Sequence, residues 1–217
     1  MRSVVAQLRE RMGGLRPDCG RLATGTAIDE LLPQGSFRRG TLVELFGPAA
    51  ALGVVLAREA LRPGGVVAVI DGARRFYPPA AASMGIDLAR LIVVQPEEPD
   101  WIVIQALSCP AIDAVLCWPD RLNANMFRRW QLAAERGGSI GLLARPLAAR
   151  SGPSWADVQL VVTPLVFGRW RLEVAEQGRS QERCVEFSID ERGSIHDCLR
   201  MATELAGPAP AFRAAGA

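Results

Sequence analysis

Short runs of uniformly apolar residues alternate with longer segments of helical periodicity through most of the chain. The segments between these runs predict one helix that follows a glycine turn at Gly47 and runs to about Leu61, and others at 77–84, 98–108 and 123–136. Apolar strands that alternate with helices are typical of a parallel sheet covered on both faces. The sequence therefore predicts an α/β fold with a mostly parallel sheet flanked by helices. The predicted strands lie at residues 41–46, 66–70, 91–94, 114–118, 140–144 and 158–162.

The pattern of apolar residues changes after Pro164. Residues 170–176 and 184–190 alternate apolar and polar side chains, and Gly178 lies between them. This alternation predicts a C-terminal antiparallel hairpin with one face in solvent. We expect four parts along the chain. They are an N-terminal helix and linker at 1–20, an α/β core at 21–164, the hairpin at 165–190, and a short helix with a loose tail at 191–217.

The last predicted helix begins at Ser194, with Asp197 in a near-capping-box position three residues later. Gly207 and Pro208 would end it. A helix this short is not stable alone, so its apolar face must pack on this domain or on another protein. We expect part of residues 191–217 to form a docking element for a protein partner. The apolar face consists of Ile195, Cys198, Leu199, Ala202 and Leu205.

Composition narrows the function classes. The chain has 217 residues, 49% of them apolar, and a formal charge of +2, so it has no strong basic field for nucleic acid. Its five cysteines are scattered and its one histidine has no histidine partner, so we expect neither a disulfide scaffold nor a metal site. No segment resembles a signal peptide or a membrane span, and we expect a cytoplasmic protein without membrane contact.

A glycine turn follows the first predicted strand, where a nucleotide-binding α/β domain carries its phosphate loop. Such a loop needs Gly, four residues, Gly, Lys, and Ser or Thr. Counting from Gly47, the last three positions hold Leu52, Gly53 and Val54, and the whole chain contains no lysine. Gly47 and Gly53 could still bind an anion through backbone amides, but a purely structural turn fits better. We expect no nucleotide cofactor and no catalysis.

Several short sequence motifs, taken in their order along the chain, resemble the RecA-type core over about residues 22–162. The first are Thr24-Gly25 and residues 40–48, followed by Val69-Ile-Asp71, Met84-Gly-Ile-Asp87 and residues 91–96. The resemblance implies a RecA-like fold for the predicted core. It also implies a catalytic carboxylate two residues after Asp71, where this chain has Ala73, and a metal-orienting Asp where it has Trp118.

A RecA-like chain without ATP-handling residues, continuing into Arg169-Trp-Arg-Leu-Glu-Val174, is similar to the ImuA family. This resemblance implies an accessory factor of SOS mutagenesis that binds ImuB, a polymerase-like protein without catalytic residues. RecA and the error-prone replicative-type polymerase are further candidate partners. Two alternatives stay open: a RecA-paralogue repair factor that binds nucleotide or DNA, and a SulA-like inhibitor of cell division.

Arginine is the one enriched charged residue type, and it suits both phosphate contacts and protein interfaces. We expect direct DNA binding to be weak or absent, and Phe127 and Trp130 to lie in the core. Besides Ile195, Leu199 and Leu205, the candidate partner-binding residues are Arg38, Arg39, Arg74 and Arg75. The candidate DNA-binding residues are Arg121, Arg128, Arg129, Arg145 and Arg150.

Overall fold

The fold is built on one mixed sheet with helices on both faces. The computed structural model describes residues 20–119, 121–152, 154–175 and 184–197. Among these residues, nine strands form the sheet in the order β5-β4-β6-β7-β3-β8-β9-β10-β11. The strands from β5 to β8 in this order pair in parallel, and β9, β10 and β11 are antiparallel to their neighbours. The predicted α/β class and the C-terminal hairpin are both confirmed.

The element bounds agree closely with the apolar runs. A separate two-stranded antiparallel sheet forms near the start of the described chain from β1 and β2. The strands are β1 (Arg21–Leu22), β2 (Phe37–Arg38), β3 (Leu42–Phe46), β4 (Val66–Ile70), β5 (Leu91–Val94), β6 (Ile112–Cys117), β7 (Ile140–Arg145), β8 (Val158–Pro164), β9 (Arg169–Val174), β10 (Cys184–Ile189) and β11 (Ile195–Asp197). The α-helices are α1 (Ile28–Leu31), α2 (Ala50–Glu59), α3 (Pro78–Ser83), α4 (Pro99–Ser108) and α5 (Ala124–Gly137).

Two apolar cores lie on opposite faces of the sheet. Residues of α1, α2 and α3 pack on one face, while α4 and α5 cover the other. Phe127 and Trp130 of α5 are each 1% exposed, as the sequence predicts, so its arginines are left on the solvent side. This arrangement explains why the central strands are apolar throughout, because each of their side chains meets a helix layer.

The hairpin strands alternate because only one of their faces is covered. Leu172 of β9 and Phe187 of β10 are fully buried in the core that lies between the sheet and α1, α2 and α3. On the other face, Arg171 pairs across the strands with Glu186, and the two side chains are joined by a 3.0 Å hydrogen bond. The hairpin thus extends the parallel sheet and keeps a polar surface toward solvent.

The structure corrects the start of the predicted C-terminal helix. Residues 195–197 form strand β11, which runs antiparallel to β10. The cause is a tight turn in which the Asp190 carboxylate accepts hydrogen bonds from the backbone N–H groups of Arg192 and Ser194. Gly193, with φ of 75°, completes the reversal. The rest of that predicted helix, with Leu199 and Leu205, and the predicted N-terminal helix lie outside the described residues.

Asp197 still acts at a helix start, but the helix is α1. Both of its carboxylate oxygens lie 3.1 Å from the N–H of Ala27, the residue that precedes α1. The sequence pattern around Ser194 therefore contained a capping carboxylate, whose partner was 170 residues away rather than local.

Candidate functional site

The glycine turn after β3 is present but short. Gly47 has φ of 92°, its N–H donates to the carbonyl of Arg145 at 3.0 Å, and α2 begins at Ala50. A Cβ atom at Gly47 would lie only 2.5 Å from the carbonyl oxygen of Val162, so only glycine fits there. The turn is thus tied to the neighbouring strands β7 and β8.

The positions at which a phosphate loop would carry its lysine and its hydroxyl side chain lie inside α2, on the side of the sheet. Leu52 and Val54 are 2% and 7% exposed. A Cβ atom at Gly53 would lie 3.0 Å from Cδ1 of Leu116 and 3.5 Å from Cδ1 of Leu45. These three positions therefore contribute to the apolar core, and a side chain at Gly53 would point into it. They therefore supply neither the ammonium group nor the hydroxyl that a phosphate loop uses.

The two carboxylate positions of the RecA resemblance lie at the carboxyl ends of β4 and β6. Ala73 is exposed, and the ring of Trp118 lies 6.2 Å from that of Phe76. The nearby Asp71 is 1% exposed and accepts a 2.7 Å hydrogen bond from the N–H of Phe76. Its Oδ1 is buried without a hydrogen-bond partner among the described residues. Asp71 thus organises the turn that holds Arg74 at φ of 55°.

A cleft of about 430 Å³ opens at this edge of the sheet. It lies at the carboxyl ends of β4, β5 and β6, beside α4 and α5. The chain leaves β4 toward α3 on one face and β6 toward α5 on the other, and open α/β sheets bind ligands at such points. The cleft is lined by residues from the predicted nucleotide site, the partner-binding candidates and the DNA-binding candidates. They are Ala73, Arg74, Trp118 and Arg121.

The four arginines predicted to bind a partner differ in how far they are exposed to solvent. Arg74 and Arg75 are exposed, and Arg38 is partly exposed. Arg39 is buried: its Nη2 donates to the carbonyl of Ala60 at 2.5 Å, and its Nη1 lies 3.6 Å from Asp113. Burial lowers the pKa of Arg39, while Asp113 acts in the opposite direction. Arg39 is therefore a core residue, which corrects its place among the docking candidates.

Ile195 is the one apolar docking candidate that the structure describes. It is partly buried and packs against the core on the α1, α2 and α3 side of the sheet. Its side chain is therefore largely used within this domain. Leu199 and Leu205 lie outside the described residues, and their docking role stays a prediction.

The DNA-binding candidates also divide into exposed and buried residues. Arg121, Arg128 and Arg150 are exposed, and Arg129, also exposed, donates to Asp100 at 2.8 Å. Arg145 is buried and donates to Glu44 at 2.5 Å, which corrects its place in this set. A charge that is paired inside the protein cannot contact a phosphate without breaking that pair.

Glu44 is the centre of a buried polar cluster that sequence reasoning missed. It is 0% exposed, and its carboxylate accepts hydrogen bonds from Arg145, Ser154 and Gln159. The cluster attaches the segment between β7 and β8 to the centre of the sheet. A glutamate inside the otherwise apolar run at 42–46 was the signal that could have revealed it.

Neither a metal-binding cluster nor a membrane-spanning helix occurs among the residues that the structure describes. Within them, no three side chains of the His, Cys, Asp or Glu type come together in a way that could hold a metal ion. None of the helices formed by these residues is long and apolar enough to cross a membrane.

Comparison with known proteins identifies relatives of this fold. Residues 30–150 match the family model described as MT3502 N-terminal domain. The RecA protein of Chlorobaculum parvum is 34% identical over 133 residues, which cover 57% of this chain and 38% of that protein. The RecA protein of Rubrobacter xylanophilus is also 34% identical over 133 residues, with the same coverage. The chain thus spans less than two-fifths of the length of these relatives.

A solved structure shows the same fold at lower identity. The crystal structure of the RadB recombinase superposes with a TM-score of 0.64 at 20% sequence identity. The match covers 82% of this chain and 99% of the RadB chain. The RecA-like architecture is therefore shown over 82% of the chain.

Proposed function

We propose that this chain, which belongs to the MT3502 N-terminal domain family and has a RecA-like fold, is a non-catalytic adaptor. Its proposed role is in SOS-induced mutagenic translesion DNA synthesis, where it binds the polymerase-like protein ImuB. RecA and the error-prone replicative-type polymerase are further proposed partners. The similarity to RecA proteins supports a role in DNA repair generally, and the likeness to the ImuA family supports the finer assignment.

One observation carries the non-catalytic part of the proposal. The place for the phosphate-loop lysine is Gly53, whose Cβ position is enclosed by Leu45 and Leu116. In nucleotide-hydrolysing relatives of this architecture, lysine and Mg²⁺ neutralise the charge that develops on the phosphates. A chain with an apolar contact there, and with Ala73 and Trp118 in the carboxylate places, retains the scaffold without that chemistry.

Co-purification tests the adaptor role. The chain and the ImuB protein of the same genome would be co-expressed, and the complex would be isolated through a tag on ImuB. We expect a stable complex that forms equally well with and without ATP and Mg²⁺. No complex under either condition would contradict the proposal, and a complex that forms only with ATP would contradict the expectation that the chain binds no nucleotide.

A second candidate function is that of a DNA-binding repair factor without ImuB. The observation in its favour is that Arg74 and Arg121 line the cleft at the carboxyl edge of the sheet. Tight binding of single-stranded DNA by the isolated chain, together with no binding of ImuB, would favour this candidate. The SulA-like alternative has no specific observation among the described residues in its favour.

A further inference from the structure

The turn between β8 and β9 carries the most exposed large apolar side chain of the described residues. Pro164 pairs with Trp170, and the N–H of Leu165 donates to the carbonyl of Arg169 at 2.8 Å. Phe167 projects from this turn and is 93% exposed, while Val166 beside it is 64% exposed. The tip lies at the same carboxyl edge of the parallel strands as the glycine turn.

The backbone at the tip is unfavourable for phenylalanine. Phe167 has φ of 60° and ψ of 37°, and the following Gly168 has φ of 68°. A bulky residue with positive φ is an outlier, and Asn or Asp adopts this conformation more readily. The chain thus places an exposed aromatic ring where both solvent and backbone disfavour it. Strained residues of this kind cluster at functional sites, including ligand clamps.

The charges around the tip argue against nucleic acid as the occupant. Arg171 donates to Glu186 at 3.0 Å, and Arg169 lies 3.8 Å from the same carboxylate. Both guanidinium groups near the tip therefore have an internal carboxylate, whereas binding to nucleic acid depends on cations that contact phosphates. Glu173, two positions further along β9, adds a second carboxylate beside Arg171, so the base of the tip carries no surplus positive charge.

The size of the apolar surface argues against a second copy of this chain. Stable dimers bury more than about 1,000 Å² in total, whereas the tip offers a short apolar stretch from Pro164 to Phe167. The sheet face behind the tip is polar, with Arg171, Glu186 and Ser188 as cross-strand neighbours. A single projecting ring suits a concave partner, because binding energy concentrates on aromatic anchors that fill pockets.

We propose that Phe167, with Val166 beside it, is the anchor by which this chain docks into an apolar pocket of its protein partner. The pocket accepts one phenyl ring. A groove of about 700 Å³ beside the tip, bordered by Leu165, Arg169 and Glu186 among others, receives the polar rim of that pocket. The inference rests on the proposed adaptor function and names the surface that the adaptor uses.

The variant Phe167→Asn separates binding from folding. Asn accepts positive φ, so the variant should melt at or above the temperature of the unchanged protein. With purified ImuB as the probe, its dissociation constant should rise by about 30-fold or more, as expected for loss of a buried aromatic anchor. Leu147→Asn is the matched control, because Leu147 is 53% exposed in the β7–β8 segment. The control should change the dissociation constant by less than about twofold.

The outcomes distinguish this inference from the proposed function. If the unchanged chain binds ImuB and Phe167→Asn binds it with a loss smaller than about tenfold, the inference is overturned and the adaptor role stands. If the unchanged chain does not bind ImuB, the proposed function fails and the inference fails with it. Sedimentation that shows a dimer lost in Phe167→Asn would make a second copy the occupant. A loss of single-strand DNA binding in that variant, with ImuB binding intact, would overturn the inference in favour of nucleic acid.

Discussion

Arg145 and Glu44 form an ion pair inside the protein, between the last residue of β7 and the middle of β3. Nη1 of Arg145 lies 2.5 Å from Oε1 of Glu44, and the two side chains are 8% and 0% exposed. The guanidinium group also lies over the ring of Phe46, 5.9 Å from its centroid. The pair and the hydrogen bonds of Ser154 and Gln159 hold the β7–β8 segment against the sheet.

This pair predicts that Arg145 contributes to stability rather than to DNA binding. Arg145→Ala leaves the Glu44 carboxylate buried with neutral partners only, and it should lower the free energy of unfolding by about 3 kcal/mol. Urea denaturation measures this change. The matched control is Arg150→Ala, an exposed arginine of the same segment, which should stay within about 0.5 kcal/mol of the unchanged protein. Equal losses in the two variants would contradict the structural role.

The buried Leu52, Gly53 and Val54 predict that ATP does not stabilise the protein. A ligand at about 100 times its dissociation constant adds about 2.7 kcal/mol to the free energy of unfolding. We expect no change in melting temperature with millimolar ATP and Mg²⁺, measured by differential scanning fluorimetry beside a RecA protein as the positive control. A Mg²⁺-dependent shift, or phosphate release above that of a buffer blank, would show that nucleotide binding persists.

Restoring the missing residues should not restore an ATPase. In the double variant Gly53→Lys, Val54→Thr, the lysine side chain begins against Leu45 and Leu116 and must cross the apolar core, so it should lower stability by about 3 kcal/mol or more. Gly53→Ala is the control. Its added Cβ atom meets the far end of the Leu116 side chain, which can move, and alanine is more favourable than glycine in a helix by about 1 kcal/mol. Sustained turnover by the double variant would refute this prediction, which also rests on Ala73 and Trp118.

DNA binding by the isolated chain should be weak and depend steeply on salt. The exposed candidates Arg121, Arg128 and Arg150 can contact phosphates only at the surface, where salt screens the interaction. Fluorescence anisotropy with a single-stranded oligonucleotide should give a dissociation constant of about 1 μM or weaker at physiological salt. Replacing the three arginines with alanine should reduce the salt dependence. Nanomolar binding that persists at physiological salt would favour a RecA-like mode of action.

Asp190 should make the β10–β11 turn sensitive to acid. Its hydrogen bond with His196, and then that with the N–H of Ser194, lower its pKa from 3.8 to about 2. A carboxyl group whose pKa is lower in the folded state stabilises the fold above its unfolded pKa and loses this effect as pH falls through the folded pKa. The contribution should therefore be complete above about pH 4 and disappear toward pH 2.

Carbon-detected NMR titration of the Asp190 carboxyl group measures this pKa directly. In His196→Ala the pKa should move back toward its ordinary value, because the largest cause of the shift is removed. An unchanged pKa in that variant would mean that the backbone hydrogen bonds alone lower it.

The sequence by itself determined the strands, the helices that cover them and the hairpin. These elements follow from local periodicity: a strand buried on both faces is apolar throughout, and a strand with one face in solvent alternates. The same local evidence identified the glycine turn and the missing lysine, because both are matters of residue type and spacing.

Only the tertiary structure decided which polar residues are used within the fold. Arg145 meets Glu44 across 101 positions, and Asp197 meets Ala27 across 170, so neither contact leaves a mark on neighbouring residues. The same reason explains why residues 195–197 form a strand: pairing with β10 outweighs a capping pattern that is favourable only locally. Burial and partner choice are properties of the packed chain, because they depend on residues that sequence separation keeps apart.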